Sequence, residues 1–263
     1  MSLRARERAY TAYRLAVIVT AFAPLAFVFL RDRKRFILFG SPRDVSEEKH
    51  RQRAEILLEK FLSLGPTFIK FGQVLSTRPD ALPEAYTETL SKLQDDVPPA
   101  PYDEVRTVLE EDIGDPERVF TRFEREPISG ASIGQVHVAE RGNEKYAVKV
   151  LRPGVRDRIE TDLRVIESTL PLALRFAKEG QRFTLSNLAD QFKEAIREET
   201  DYGREARSVE IIRENLCDEP VVVPRVVEEL SSDRVITMEY VEGTKITDVK
   251  ALRAQDIDPS RVV

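Results

Sequence analysis

The spacing of apolar residues changes along the chain from a helical period to strict alternation and back. Residues 46–64 and 67–76 carry apolar side chains every three or four positions, which predicts two amphipathic helices separated by a Gly-Pro break. Residues 135–151 instead alternate around a Gly-Asn turn at 142–143, and this predicts a β-hairpin. We expect five apolar residues to share one face of the hairpin: Val136, Val138, Tyr146, Val148 and Val150.

The remaining segments extend this pattern into a mixed fold. Helical spacing also occurs in residues 84–94, 102–113, 153–178 and 184–216, with Gly180 ending the third of these helices. Short apolar runs bounded by turn residues predict three further strands, at residues 120–127, 221–227 and 234–240. The sequence therefore predicts an α+β fold in which a helical N-terminal extension precedes an antiparallel sheet.

The N-terminal segment combines an uncharged stretch with basic flanks. Residues 15–30 carry no charge, Arg14 precedes them, and Arg31 begins a second basic group. At ~1.5 Å per residue this stretch is shorter than the ~30 Å hydrocarbon core of a bilayer. No small-residue cleavage pattern follows it, as a secretory signal would require. We expect residues 15–35 to contact a membrane or anionic lipid surface at the cytoplasmic face, and a buried core helix remains the alternative.

Composition narrows the classes of function. The net charge of −5 gives no support to nucleic-acid binding. A single cysteine, Cys217, excludes an intrachain disulfide and suits a reducing compartment. With only two histidines, His50 and His137, the chain has little material for a metal site or a Ser/His/Asp triad.

A group of small residues before the hairpin predicts a phosphate-binding loop. Small side chains let the backbone approach a ligand closely, and its free amide groups can surround an anion. Lys149 lies within an apolar strand, where an unpaired ammonium is costly, so it needs an anionic partner. An ordinary hairpin whose lysine reaches solvent is the alternative. The small residues are Ser129, Gly130, Ala131, Ser132 and Gly134.

Two further groups of polar residues are placed by helical geometry. Lys70 and Gln73 are three residues apart and project from one face of their helix. In the helix predicted over residues 184–216, Asp201 and Glu205 share a face whereas Glu199 points elsewhere. One helix can thus supply acidic partners to two different lysines.

The order of loop, strand, turn and strand lysine resembles the N-terminal lobe of protein kinases, in which the loop covers ATP phosphates and the lysine binds them. Lys70-Phe-Gly-Gln73 matches the lysine-x-glycine-glutamine motif of the UbiB family, atypical kinase-like proteins linked to ubiquinone and isoprenoid-lipid metabolism. The stretch from Ala131 to His137 is similar to the alanine-rich loop of that family. The resemblance runs from about Glu48 to Gly243.

The resemblance implies specific roles. Lys149, paired with Glu205, would bind the phosphates of ATP, and Mg²⁺ is implied with the nucleotide. Residues 129–135, which include Gln135, would cover the triphosphate, and Glu239 to Val241 would lie at the adenine. A regulatory cleft would consist of Lys70, Gln73, Glu199 and Asp201. Because Ser129-Gly130 replaces alanines of the family, the choice between ATP and ADP stays open.

The resemblance also implies a C-terminal lobe that carries the catalytic residues, and the sequence shows none of its motifs. No Asp-Phe-Gly triplet occurs, neither histidine stands in a catalytic-loop pattern, and the stretch after Gly243 is too short for a C-terminal lobe. We therefore expect a truncated chain without catalytic residues of its own, with a separately encoded C-terminal lobe as a partner. The expected divisions are residues 1–44 (membrane-contacting), 45–115 (helical extension), 116–243 (kinase-like N-terminal lobe) and 244–263 (hinge and start of a truncated C-terminal lobe).

The function implied is that of a UbiB-type atypical kinase or ATPase acting at a membrane. A non-enzymatic, membrane-docked module that binds nucleotide or lipid is the alternative, and an inactive gene fragment is another.

Overall fold

The computed structural model describes residues 3–39, 46–79, 82–94, 99–176, 179–244, 246 and 248–258. It combines helices with one antiparallel sheet, so the predicted α+β class is confirmed. The helices are α1 (Leu3–Phe39), α2 (Glu47–Leu64), α3 (Pro66–Ser76), α4 (Glu84–Ser91), α5 (Tyr102–Asp112), α6 (Pro116–Val119), α7 (Val155–Phe176), α8 (Glu179–Glu199), α9 (Tyr202–Asn215) and α10 (Val249–Ala254). Two 3₁₀ turns lie at Lys92–Gln94 and Glu228–Leu230.

The sheet is built around the predicted hairpin. Its strands are β1 (Arg122–Phe123), β2 (Ser129–Gly130), β3 (Gly134–Arg141), β4 (Glu144–Leu151) and β5 (Val235–Glu239), in the order β1-β3-β4-β5 with β2 also paired to β3. The prediction of a strand at residues 221–227 is wrong, because only a single bridge, from Val226 to Met238, forms there. Pro220 and Pro224 lack the amide hydrogen that a continuous ladder requires.

The register gives the hairpin two different faces. The two-residue turn pairs Arg141 with Glu144, and Lys149 is therefore opposite Val136. Directly opposite residues share a face of the sheet. The expectation that Val136 and Val138 share a face with Tyr146, Val148 and Val150 is wrong, because both valines lie on the face of Lys149.

Helices cover both faces of the sheet. Helix α5 packs its buried residues Val105, Val108 and Leu109 on the face that carries Val148 and Val150. Residues of α7, α8 and α9 cover part of the other face; with the sheet they form a core of Ile133, Leu151, Val155, Ile159, Leu163, Phe192, Ile196, Tyr202, Val226 and Ile236. Lys149 lies at the margin of this second core.

Helices α1 to α4 pack together into a helical unit, which we call the extension, and aromatic rings connect it to the sheet domain. Phe22 of α1 lies 6.0 Å from Phe61 of α2, and Phe61 lies 6.0 Å from Phe71 of α3, measured between ring centroids. Phe71 in turn meets Phe192 of α8 edge-on at 5.0 Å. The extension therefore shares an apolar contact with the helices that cover the sheet.

Helix α1 contributes its inner face to the core, as the buried-helix alternative expected. Ile18 is buried, and the Arg14 guanidinium, also buried, donates to Asp162 of α7 at 2.5 and 2.9 Å. Arg14 also donates to the Leu64 carbonyl at 2.6 Å, and Arg158 donates to the same oxygen at 2.7 Å. Among the described helices, none has both the length and the apolar character to cross a membrane.

The buried ion pair predicts a large and specific loss of stability. Asp162→Asn leaves the Arg14 charge buried without a counter-charge, so we expect the free energy of unfolding to fall by about 3–5 kcal/mol. Urea unfolding measures the change. The double variant Arg14→Met/Asp162→Leu removes both charges and should recover most of the loss, whereas losses that simply add would contradict the pairing.

His137 is a buried, neutral histidine on the face covered by α5. Its Nδ1 lies 2.8 Å from the Glu124 carbonyl oxygen, and its Nε2 lies 3.0 Å from the side-chain amide nitrogen of Gln135. Since the amide nitrogen only donates, Nε2 accepts and Nδ1 carries the proton. Burial lowers the pKa of the imidazole from its ordinary value of 6.5, and the hydrogen bond to Glu124 only partly opposes that change.

This lowered pKa predicts acid sensitivity. The unfolded chain binds a proton at His137 near pH 6.5 and the folded chain only at lower pH, so stability is full above this range and falls as the pH drops through it. We expect His137→Gln to lose that dependence, about 1.4 kcal/mol per pH unit at most. Urea unfolding of both proteins from pH 7.5 to 5.5 tests this, and equal slopes would contradict it.

Candidate functional site

The site is built around the ion pair between Lys149 of β4 and Glu205 of α9. The Lys149 ammonium nitrogen lies 2.7 Å from each carboxylate oxygen of Glu205. The two side chains are 23% and 34% exposed, so the pair faces an opening rather than a closed core. The pair that the resemblance implies is therefore formed, with the cation on a central strand of the sheet, between β3 and β5.

Lys149 also lies over an aromatic ring. Its ammonium is 4.7 Å from the ring centroid of Tyr202, the first residue of α9. Tyr202 is fully buried, and this burial raises the pKa of its hydroxyl, as does the nearby Glu205 carboxylate. The hydroxyl is thus protonated at neutral pH.

Helices α8 and α9 are separate, so the prediction of a single helix over residues 184–216 is wrong. Thr200 and Asp201 form a joint between them, which we call the α8–α9 joint. The Arg156 guanidinium of α7 donates to the Thr200 carbonyl at 2.7 and 3.1 Å and to the Asp233 carbonyl at 2.5 Å. Asp201 has non-helical backbone angles and its carboxylate caps α9 by accepting from the Arg204 amide at 2.9 Å.

The joint gives the acids of the predicted cleft different roles. Glu199, at the end of α8, pairs with Lys70 of α3 at 2.5 Å. Asp201, implied as a second partner of Lys70, instead caps α9. The structure therefore brings Lys70 to Glu199 and uses Asp201 to start the helix that carries Glu205.

The other residues of the Lys70 motif hold α3 in place. The Gln73 side-chain amide donates to the Leu93 carbonyl at 2.9 Å. A Cβ at Gly72 would lie 2.3 Å from Leu93 and 2.6 Å from Phe61, so only glycine permits this close packing. An open cavity of about 420 Å³ on this side of α3 is lined by Lys70, Gln73, Val74 and Thr77.

The small-residue loop is a tight turn between β2 and β3. Ser129 and Gly130 form β2, and the Ala131 amide donates to the Gly134 carbonyl at 2.9 Å. Arg152, just after β4, stabilises the turn. Its amide donates to the Ile133 carbonyl at 2.9 Å, and its guanidinium donates to the Ala131 carbonyl at 3.0 Å. Ser132 lies within this turn and is buried.

Gln135 is not brought to Lys149. It is buried on the opposite face of the sheet, opposite Val150. Its side-chain oxygen accepts from the Ala100 amide at 2.7 Å, and its side-chain nitrogen approaches the Ala100 carbonyl at 3.4 Å. Gln135 therefore joins the segment before α5 to the sheet.

The end of β5 supplies the residues expected at an adenine. The Glu239 and Tyr240 amides donate to the carbonyls of Arg225 and Lys145, at 2.9 and 3.0 Å. Glu239 pairs with Tyr146, which places its side chain on the face away from Lys149. Val241 lies beyond the paired part of the strand and is 45% exposed.

Sequence reasoning missed an apolar surface beside Lys149. Val136, Ala147 and Met238 lie on the face of Lys149 and are half-buried. They form a partly open apolar surface that continues from the lysine toward the end of β5. Ala147, two residues from Lys149 on one strand, could have been found from alternation alone.

Comparison with known proteins identifies a domain. Residues 92–263 match the ABC1 atypical kinase-like domain. A solved Mycobacterium tuberculosis protein, in complex with erythromycin, is 30% identical with a TM-score of 0.45, covering 67% of this chain and 45% of that one.

Two curated relatives illustrate the family. The chloroplastic protein ACTIVITY OF BC1 COMPLEX KINASE 8 of Arabidopsis thaliana is 36% identical over 268 residues, which cover 98% of this chain and 35% of the relative. The probable protein kinase UbiB of Marinobacter nauticus is 36% identical over 209 residues, which cover 78% of this chain and 38% of the relative. The chain thus spans well under half the length of either relative.

The domain match covers more than half of the chain, and the sheet with its paired strand lysine has the fold of a kinase-like N-terminal lobe. The chain therefore belongs to the ABC1 atypical kinase-like family, to which its UbiB-type relatives also belong.

Proposed function

We propose that this chain binds ATP, with the triphosphate at Lys149 and the small-residue loop. The observation that carries the proposal is the Lys149–Glu205 pair at the edge of a partly open face. Glu205 fixes the ammonium with both carboxylate oxygens at 2.7 Å while part of the cation stays accessible. A fixed and accessible cation suits a phosphate oxygen, which it can contact without losing its carboxylate partner.

The surface beside Lys149 suits a flat apolar base. Val136, Ala147 and Met238 supply half-buried apolar area, and the exposed residue Val241 lies beyond the end of β5. Ligand sites commonly combine such an apolar wall with a few polar groups. We place the adenine on this surface and the phosphates toward Lys149 and the turn at residues 131–134.

Binding is the part of the activity that these residues can perform. In the described part of the chain, no three His, Cys, Asp or Glu side chains are grouped to hold a metal ion, so the proposal uses no metal ligand from it. Phosphoryl transfer or ATP hydrolysis at a membrane, linked to ubiquinone or isoprenoid-lipid metabolism, is our proposal for the whole protein. The name of the UbiB relative, a probable protein kinase, supports it.

Removal of the strand cation tests nucleotide binding. Lys149→Ala should weaken the binding of a fluorescent ATP analogue at least tenfold, because the phosphates lose their charged partner. The matched control is Lys92→Ala, which removes an exposed lysine paired with Glu55 at 2.7 Å in the helical extension. Fluorescence anisotropy measures both, and equal affinity in the wild type and Lys149→Ala would refute the proposal.

We also propose that the outer face of α1 contacts an anionic lipid surface. Between residues 9 and 27 every exposed residue of α1 is uncharged, although charged residues make up 33% of the chain. The large side chains on this face are Tyr10, Tyr13, Val19 and Phe27, at 46%, 65%, 48% and 67% exposure. The sequence places basic residues before and after it. An apolar helix face with basic flanks is the pattern of an interfacial helix.

Charge introduced into this face tests the lipid contact. The double variant Val19→Glu/Phe27→Glu should lose at least tenfold in binding to vesicles that contain phosphatidylserine, since carboxylates oppose both insertion and the anionic surface. Vesicle sedimentation measures the binding. Ile56→Glu is the control, because Ile56 is a similarly exposed apolar residue, at 44%, on α2 rather than on α1. Unchanged binding by the double variant would contradict the assignment.

A further inference from the structure

We propose that Tyr202 is a positioning residue of the nucleotide site, where it holds Lys149 and the small-residue loop at a fixed separation. The inference rests on the proposed nucleotide binding for its functional meaning. Its geometric basis is independent of any ligand.

The first observation is the buried environment of the Tyr202 hydroxyl. The residue is 0% exposed, and its hydroxyl oxygen has no hydrogen-bond partner in the part of the chain that the structure describes. Leaving a buried hydroxyl unsatisfied is unfavourable, and phenylalanine would fill the same space without that cost. A role for the hydroxyl other than stabilisation accounts for its presence.

The second observation is what the two ends of the side chain contact. The ring supports Lys149, whose ammonium lies 4.7 Å from the ring centroid, a favourable cation–π distance. The hydroxyl lies under the loop, because a Cβ built at Gly134 would be only 2.2 Å from its oxygen. One rigid side chain therefore separates the phosphate-binding cation from the last residue of the loop.

The third observation is how Tyr202 is anchored. It is the first residue of α9, one turn before Glu205, and its amide donates to the Asp233 carbonyl at 3.2 Å. Arg156 donates to the same carbonyl and to Thr200. A shift of α9 that moved Glu205 away from Lys149 would therefore also withdraw the ring from the lysine and the hydroxyl from the loop.

A double-mutant cycle between Gly134 and Tyr202 tests the inference. Gly134→Ala places a methyl group against the hydroxyl and should weaken the binding of a fluorescent ATP analogue at least tenfold. Tyr202→Phe removes the oxygen and leaves ring carbon Cζ at 3.4 Å from the new methyl group, an ordinary contact. The double variant should therefore recover part of the loss and bind the analogue at least threefold more tightly than Gly134→Ala alone. Recovery is incomplete because the Val150 carbonyl oxygen, at 2.9 Å, stays close.

Two further variants separate positioning from packing. Tyr202→Leu also removes the hydroxyl but loses the ring under Lys149, so we expect at least fivefold weaker nucleotide binding in a protein that is still folded by circular dichroism. Tyr86→Phe, a hydroxyl deletion on α4, should not rescue Gly134→Ala. Additive effects of Gly134→Ala and Tyr202→Phe on affinity, or full affinity in Tyr202→Leu, would overturn the inference.

The readouts also separate this inference from the proposed function. If the wild type binds no nucleotide, the proposed function fails. The cycle is then measured by urea unfolding and by the amide chemical shifts of residues 131–134. Rescue of Gly134→Ala by Tyr202→Phe in both measurements would support the contact between loop and hydroxyl, and additivity in both would overturn it.

Discussion

The interruption between α8 and α9 is the constraint on which the site depends. In one continuous helix, Glu199 and Glu205 would project along a common axis at an angle fixed by 100° per residue. The α8–α9 joint removes that restriction, so that Glu199 reaches Lys70 of α3 and Glu205 reaches Lys149 of β4. Arg156 holds the joint through backbone carbonyls, so its hold does not depend on the side chains at positions 200 and 233.

Both lysine pairs contribute mainly geometry. Partly exposed ion pairs of this kind contribute about 0–1 kcal/mol to stability. The buried pair of Arg14 and Asp162, by contrast, is closed off from water and fastens α1 to α7. The structure thus uses its most buried charges to hold the extension, whereas both lysine pairs stay partly accessible to solvent.

Most of the fold could be predicted from the sequence, and the failures have physical causes. Helical periodicity located α2, α3 and α4, and alternation located β3 and β4. The faces of the hairpin were assigned wrongly although the two-residue turn at Gly142 and Asn143 was recognised. Such a turn pairs residues of opposite parity, so Val136 had to lie opposite Lys149 rather than on the face of Val148. The missed joint carried a signal too, since Asp201 is a favourable helix cap.

The site was predictable only in part. The pairings of Lys149 with Glu205 and of Lys70 with Glu199 came from the resemblance, because residues 56 positions apart, such as Lys149 and Glu205, have no local pattern that joins them. Gln135 was assigned to the loop by its position, and its distant partner Ala100 shows why position was insufficient. Tyr202 and Arg152 depend on tertiary packing around the turn at residues 131–134, which periodicity does not encode.

The aromatic contact between Phe71 and Phe192 has a consequence for folding. It lies where the extension meets the helices that cover the sheet. Hydrogen bonds cross the same boundary, since Arg158 of α7 donates to the Leu64 carbonyl of α2, as Arg14 of α1 also does. With apolar contacts and buried hydrogen bonds continuous across this boundary, the extension and the lobe should melt in one cooperative transition rather than as two separable domains.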